Sequence, residues 1–270
     1  MSSPTVSLRT ALPSDTPVSI PLLTELVPDG IRPATVIAVE FDPDSQWFAV
    51  AASITATSLM SDGHIGYAAM ARPVNDIRRD LSNLGIDVSM AVKDERLFID
   101  DWHTATLTGG RLISVTEPES YADGIRMHSL RVADFSAEQL KGWRGDAKHR
   151  VVFAGRENWP SGWLLVSDSF SVLTRFNEDR PFLEFLETRE NQDARLMKRI
   201  NLEGFVRGIH SESFYKRVEA ASDGIIDIRV IEQDGVPKNF LRLRSLKGQP
   251  HDARWHEIQI KRNGEATLVT

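Results

Sequence analysis

The chain has no cysteine among its 270 residues. Disulfides, thiolate metal sites and cysteine nucleophiles are thereby excluded. No apolar run approaches the ~18 residues that a membrane-spanning helix needs. The opening stretch, MSSPTVSLRTALPSDTPVSI, has no apolar core of signal-peptide length. An excess of positive charge is also missing: 32 Lys and Arg stand against 38 Asp and Glu, a net charge of −6. That balance argues against a protein that coats nucleic acid over its whole surface, while leaving room for a local basic face. There is no G-x-S-x-G elbow around Ser167, Ser169 or Ser171, and no histidine lies at a telling offset from them, so a serine hydrolase is not expected. What is present is ordinary for a soluble globular chain, with 41% apolar and 26% charged residues. The length suits one large domain with a substantial core. The expectation is a cytoplasmic protein with a loose lead-in over residues 1–19 and a single domain over 20–270.

The pattern along the chain alternates strand and helix. ATVIAV (34–39) is a short apolar run of the kind expected for a buried parallel strand. After the turn EFDPDSQW, the residues Trp47, Phe48, Val50, Ala51, Ile54 and Met60 recur at roughly helical spacing. GHIGYAAM (63–70) reads as a second strand. PVNDIRRDLSNLG then sets Val74, Ile77, Leu81 and Leu84 on one helical stripe, with Pro73 near its start and Gly85 at its end. RLFID (96–100) is a third strand. In the less regular middle, DFSAEQLKGW (134–143) reads as a short helix capped by Ser136, and HRVVFAG as a strand. GWLLVSDS (162–169) is strongly apolar and ends in Asp168 and Ser169. DRPFLEFLETRENQDARLMKRI reads as helix, EGFVRGIH as strand, and ESFYKRVEAASDG as a helix stopped by Gly224.

The period then changes to two. Ile226, Ile228 and Val230 alternate with Asp227 and Arg229, and Ile258 and Ile260 alternate with Glu257, Gln259 and Lys261. Asp234-Gly235 and Asn263-Gly264 mark hairpin turns. The expected fold is therefore α/β, with a mostly parallel central sheet flanked by helices and antiparallel C-terminal hairpins.

Two other clusters bear on chemistry. Asp62, His64, Asp100, Asp101 and His103 have ligand types that suit a divalent ion, but nothing in their spacing enforces a site, and no metal is expected. His210, His251 and His256 read as local structure. The tail gathers Lys238, Arg242, Arg244, Lys247, Arg254, Lys261 and Arg262. Several would share one face of alternating strands, as a solvated edge, a subunit contact or a nucleic-acid surface. Net negative charge and the absence of interleaved aromatics in LRLRSLKG disfavour nucleic acid.

Taken in order, five segments resemble the KaiC-like branch of the RecA-type ATPases. IPLLTELVPDGIRPATVIAV is similar to the lead-in that precedes that family's phosphate-loop strand. YAAMARPVNDIRRDLSNLGID is similar to its second strand and following helix, and LLVSDSFSVL to its second acidic strand. ASDGIIDIRV and LRLRSLKGQPHDARWHEIQIKRNG resemble its tail. The resemblance covers residues 18–264 apart from the irregular middle, and implies a RecA-like three-layer fold.

The departures from the family concern catalysis. A phosphate loop uses glycines so that backbone N–H groups can close around phosphate oxygens, a Lys for their charge and a hydroxyl for magnesium. At the matching positions stand Glu40, Phe41, Asp42, Pro43, Asp44, Ser45, Gln46, Trp47 and Phe48, with Gln46 in place of the Lys and Trp47 in place of the Ser or Thr. A carboxylate about 4 Å from a phosphate repels it by ~1 kcal/mol even in bulk water. The family's paired glutamates fall at Ala71 and Arg72, neither a general base at neutral pH. The Lys and Arg that reach a neighbouring subunit's nucleotide fall at Ser245 and Lys247. Asp168 remains where the magnesium-associated aspartate lies, and without a hydroxyl partner it reads as a strand-end carboxylate capping a turn.

The resemblance thus implies a non-catalytic pseudo-ATPase with a degenerate Walker A loop and no cofactor. It would act in signal transduction as a regulatory or scaffolding subunit, in a homo-oligomer or beside an active paralogue, with Trp47 and Phe48 plugging the former phosphate pocket. Two alternatives are an ATP/Mg-binding relative with slow hydrolysis and a DNA-associated recombinase paralogue.

Overall fold

A computed structural model describes residues 16–107, 125–127 and 159–269. The described strands are β1 (Val36–Phe41), β2 (Ile65–Ala69), β3 (Leu97–Asp101), β4 (Ile125–Met127), β5 (Leu164–Ser167), β6 (Ile200–Val206), β7 (Gly224–Gln233), β8 (Val236–Leu246), β9 (His256–Ile260) and β10 (Ala266–Val269). They form one sheet in the order β10-β9-β8-β7-β1-β6-β5-β2-β3-β4. From β7 to β4 every neighbouring pair is parallel. From β7 to β10 the pairs are antiparallel. The helices are α1 (Trp47–Met60), α2 (Val74–Asn83), α3 (Val88–Lys93), α4 (Trp102–Leu107), α5 (Asp179–Phe185), α6 (Asn191–Leu196) and α7 (Glu212–Ala221), with a 3₁₀ segment at Phe170–Arg175 and a π-helical turn, Leu186–Glu190, joining α5 to α6. None of the described helices is long and apolar enough to cross a membrane.

The expected α/β architecture is the observed one, and the reason lies in the centre of the sheet. β1, VIAVEF, is buried at every residue because strands pair with it on both edges and helices cover both faces. One face of the sheet packs Ile37, Val39 and Phe41 with α1 and α2. The other packs Ala38, Phe205 and Ile225 with α5 and α7. α1 is apolar or small almost all round, as a helix enclosed on every side must be. Its buried hydroxyls are satisfied within the core: Thr55 Oγ1 donates to Ala51 O at 2.8 Å, and Ser53 Oγ accepts from the Ala266 amide of β10 at 2.7 Å. α2 instead buries only Val74, Ile77 and Leu81 along one stripe.

Several local expectations are corrected. The strand read at 203–210 lies at Ile200–Val206, and the helix read to Ile200 ends at Leu196. Gly224 is not a helix stop: α7 ends at Ala221, and Gly224 opens β7, where an added Cβ would lie 3.0 Å from Leu246 Cδ1 and 3.1 Å from Ile37 Cγ1. The lead-in stops short of residue 19, because Val18 pairs with Ile31 in an antiparallel bridge. Residues 1–15, the helix read at 134–143 and the strand read at 149–155 lie outside the described residues. The Asp234-Gly235 turn forms as read, with both residues at positive φ (54° and 75°), the requirement of a type I′ hairpin. A bulge in that hairpin at Ile225/Ile226 leaves Arg244 as an extra residue on β8. It resets the alternation so that Leu246 rejoins the apolar face of Leu241 and Leu243.

Gly204 in β6 is the tightest point of the sheet. An added Cβ would meet Asp168 O at 2.5 Å and Trp47 Nε1 at 2.9 Å. Gly204→Ala is therefore expected to destabilise the fold by about 1–3 kcal/mol or more, read as a lower denaturant midpoint at unchanged slope.

Candidate functional site

In open α/β sheets ligands bind outside the carboxyl ends of the strands, near the point where the strand order reverses. Here that place is the loop from Asp42 to Gln46, between β1 and α1. Three of its backbone donors are engaged within the chain. The Asp42 amide donates to Ile228 O at 3.1 Å, that of Ser45 to Asp42 O at 3.0 Å, and that of Gln46 to Asn239 Oδ1 at 2.9 Å. Pro43 has no N–H. No residue from 42 to 46 has positive φ, so the nest of outward amides that cradles phosphate is not formed. Asp42 is a hairpin anchor: its Oδ2 accepts from the Val230 amide at 3.0 Å. Glu40, Pro43 and Asp44 bring no donor side chain to the loop.

Trp47 begins α1 and is only 1% exposed. Its indole Nε1 donates to Asp168 O at 2.7 Å, which ties the start of α1 to the end of β5. The Asp168 side chain reaches the residues that follow β2. Its Oδ1 accepts from the Met70 amide at 2.8 Å and the Ala71 amide at 3.0 Å, capping the turn between β2 and α2. Its Oδ2 has no hydrogen-bond partner among the described residues. Burial pushes the Asp168 pKa up to about 7, against the opposing pull of those amides and of Arg72. Ala71 offers no base. Arg72 pairs with Asp80 and lies over the Phe48 ring, 5.4 Å from its centroid.

Beyond Trp47, Phe48 is half-buried and forms a wall rather than a plug. A cleft of about 420 Å³ remains between the loop, the 3₁₀ segment and the end of β6. The fold brings one of the serines and one of the histidines together in this cleft. His210 Nε2 lies 2.8 Å from Ser171 Oγ, although the two are 39 residues apart in sequence. Ser171 Oγ also accepts from the Val206 amide at 2.9 Å. Burial lowers the His210 pKa, and a neutral ring can accept the Ser171 hydroxyl proton at Nε2. Asp179 acts on this ring through its charge, opposing the effect of burial, and no carboxylate hydrogen bond to the ring is observed among the described residues.

The tail cations are engaged within the chain. Asp227 is bound by Arg229 Nη2 and Arg242 Nε, each at 2.8 Å. Arg244 Nη2 donates to Glu40 Oε1 at 3.0 Å and to Glu219 Oε1 at 2.7 Å. Burial and the hydrogen bond with Glu219 push Glu40 up to about 7, with Arg244 opposing. Lys247 Nζ donates to the carbonyls of Ala220 and Ser222 at the end of α7. Lys238, Arg254 and Lys261 pair with Glu257, Asp252 and Glu265. The expected basic face is thus largely neutralised by its own carboxylates. No group of three or more His, Asp or Glu side chains among the described residues is placed to hold a metal ion. Asp101 caps α4 through the Thr104 amide at 2.8 Å, and Asp62 faces Arg96.

Sequence comparison finds no matching protein family and no matching curated protein. Comparison with solved structures does find matches. A KaiC-like protein of the hyperthermophilic archaeon Pyrococcus horikoshii OT3 superposes with a TM-score of 0.66 at 16% identity, over 96% of this chain and 100% of that one. The fold is KaiC-like and RecA-type. An uncharacterised protein of Pyrococcus horikoshii, solved in complex with an unknown peptide, superposes with a TM-score of 0.65 at 18% identity, over 89% and 94% of the two chains. At these identities the likeness concerns the KaiC-like architecture. What the loop of this chain can hold is a matter of its own side chains.

The buried Asp168 generates a pH-dependent prediction. Its folded-state pKa lies above the ordinary 3.8. Its protonated form therefore stabilises the fold below about pH 4, and that contribution is lost as pH rises to about 7. Asp168→Asn should gain stability relative to the parent between those limits, by at most about 1.4 kcal/mol per pH unit, and level off above. Asp168→Ala removes the same titrating group and also orphans the Met70 and Ala71 amides, so it should follow the same pH dependence while lying about 1–3 kcal/mol below Asp168→Asn throughout. Urea denaturation from pH 5 to 8 measures both.

Proposed function

We propose that this chain is a non-catalytic, KaiC-like pseudo-ATPase that works as a regulatory or scaffolding subunit. The observation that carries this reading is the Trp47–Asp168 contact. The position that would offer a hydroxyl to magnesium offers an indole, and that indole is bound to the main chain of the residue that would complete the ion site. Phosphate transfer depends on donors, a lysine and a metal arranged about the transferring group. Here the amides of Asp42, Ser45 and Gln46 are bonded within the chain, Gln46 stands at the lysine position and Asp168 is occupied as a turn cap. Ala71 and Arg72 supply no base for an attacking water. The DNA-associated alternative is disfavoured by the pairing of Arg242, Arg244 and Lys247 inside the chain.

A subunit role suits such a domain, because one that has no need of a nucleotide can still present surface to another protein. The structural neighbour solved with an unknown peptide accords with a partner-binding use of this fold. Assembly with itself or with an active paralogue follows from the same reading.

Thermal unfolding with and without ATP and magnesium tests it. A ligand at 100 times its Kd stabilises the folded state by about 2.7 kcal/mol. No rise in Tm is expected at millimolar ATP, and a clear rise would reject the reading. A light-scattering mass above that of one chain, alone or with a candidate paralogue, is expected of the scaffold.

A further inference from the structure

We propose that the cleft beside Phe48 is a binding site for a small monocarboxylic acid with an apolar body. Its volume, about 420 Å³, falls within the roughly 300–1,000 Å³ of small-molecule sites. Most of its wall is apolar: Phe41, Phe48, Val172, Val206 and Ile209. Ile209 is 59% exposed, a large aliphatic group held at the rim rather than buried in the core. Such a wall accepts a hydrocarbon or aryl body by removing apolar surface from water.

The polar groups are few and convergent. Arg175, the last residue of the 3₁₀ segment, lines the cleft and is exposed. It has no ion-pair or hydrogen-bond partner among the described residues, whereas the tail arginines 229, 242, 244 and 254 all have carboxylate partners. Ser169 also lines the cleft and is fully buried, and its hydroxyl has no hydrogen-bond partner among the described residues. A buried hydroxyl without a partner marks a place where one is supplied from elsewhere. Beside it lies the Ser171–His210 pair, whose hydroxyl and Nε2 already bond each other.

One arginine fork matches one carboxylate. A polyphosphate would bring more charge than Arg175 can offset, next to a loop that carries Asp42 and Asp44. A neutral molecule would leave Arg175 unused. The chemistry that fits is a single negative charge at one end and an apolar body of modest size at the other.

The test is calorimetric titration of the full chain with hexanoate, octanoate and 3-phenylpropionate, and with 3-phenylpropionamide as the uncharged match to the last. At least one acid should saturate a single site at submillimolar to millimolar concentration. The amide should bind about tenfold more weakly than its acid, the effect of losing one charge-assisted contact. Arg175→Gln, an exposed change, should weaken the acid by about tenfold and leave the amide where it was. Ile209→Asp, also exposed, should abolish acid binding by placing a carboxylate at the rim, while its unchanged Tm reports an intact fold. The proposal is overturned if none of the three acids binds at millimolar concentration. It is overturned equally if acid and amide bind alike, or if Arg175→Gln leaves acid affinity unchanged.

Discussion

The contact on which the rest of the site depends is the hydrogen bond from the Trp47 indole to the main-chain carbonyl of Asp168. It joins the first turn of α1 to the end of β5 across Gly204 of β6, and only a residue without a Cβ leaves room for it. A tryptophan in that position brings a large apolar surface and a single donor, so its placement is fixed by both packing and hydrogen bonding. The consequence reaches Asp168. Sealed from water by the indole and the strands, its carboxylate turns to the amides of Met70 and Ala71 and takes up a proton near neutral pH. A residue that resembles a metal-associated aspartate in sequence thereby becomes a clamp on the β2–α2 turn.

The second constraint is charge. β1 carries Glu40 into the interior, and β7 places Asp227 beside it in register. Burying carboxylates is costly unless they are paired, and Arg229, Arg242 and Arg244 provide the pairs. Arg229 also donates to the Glu40 carbonyl at 2.6 Å, closing the end of β1. These bonds dock the antiparallel β7–β8 hairpin against the parallel core. They also explain why a cation-rich tail presents so little free positive charge. A related device stabilises the opposite side of β6, where fully buried Arg199 bonds Asn201 Oδ1 at 2.7 Å and pairs with Glu190, while burial and Glu190 push Glu203 up to about 8.

Between these two constraints lies the open cleft. The ring of Phe48 meets Phe41 of β1 edge-on, centroids 5.9 Å apart, and carries the guanidinium of Arg72 over it. The end of β6 carries Val206, Ile209 and His210 toward the 3₁₀ segment. The carboxyl edge of the sheet thus carries a concavity with a largely apolar lining. The KaiC-like architecture positions such a concavity whatever side chains fill it.

Much of the fold was legible in the order of residues, because it rests on local periods. The apolar run of β1, the stripe of Val74, Ile77 and Leu81, the alternation through Ile226 and Ile228, and the Asp-Gly turn all express one element at a time. The absence of glycine and lysine between Glu40 and Phe48 was equally plain, since a loop's backbone freedom depends on its own residues. The misread elements had competing local signals. Gly224 looked like a helix stop but is a strand residue held between Leu246 and Ile37. The bulge at Arg244 shifts the apolar spacing from two residues, Leu241 to Leu243, to three, Leu243 to Leu246. The pairings were not legible at all. Ser171 with His210, Trp47 with Asp168, and Arg244 with Glu40 join residues that are 39, 121 and 204 positions apart. Composition and periodicity determined that this is an α/β chain, and the order of residues that no glycine or lysine lies between Glu40 and Phe48. Only the strand order β7-β1-β6-β5-β2 decided which side chains meet at the carboxyl edge, because contacts across a sheet are set by which strands lie side by side, and a one-dimensional pattern carries no record of that.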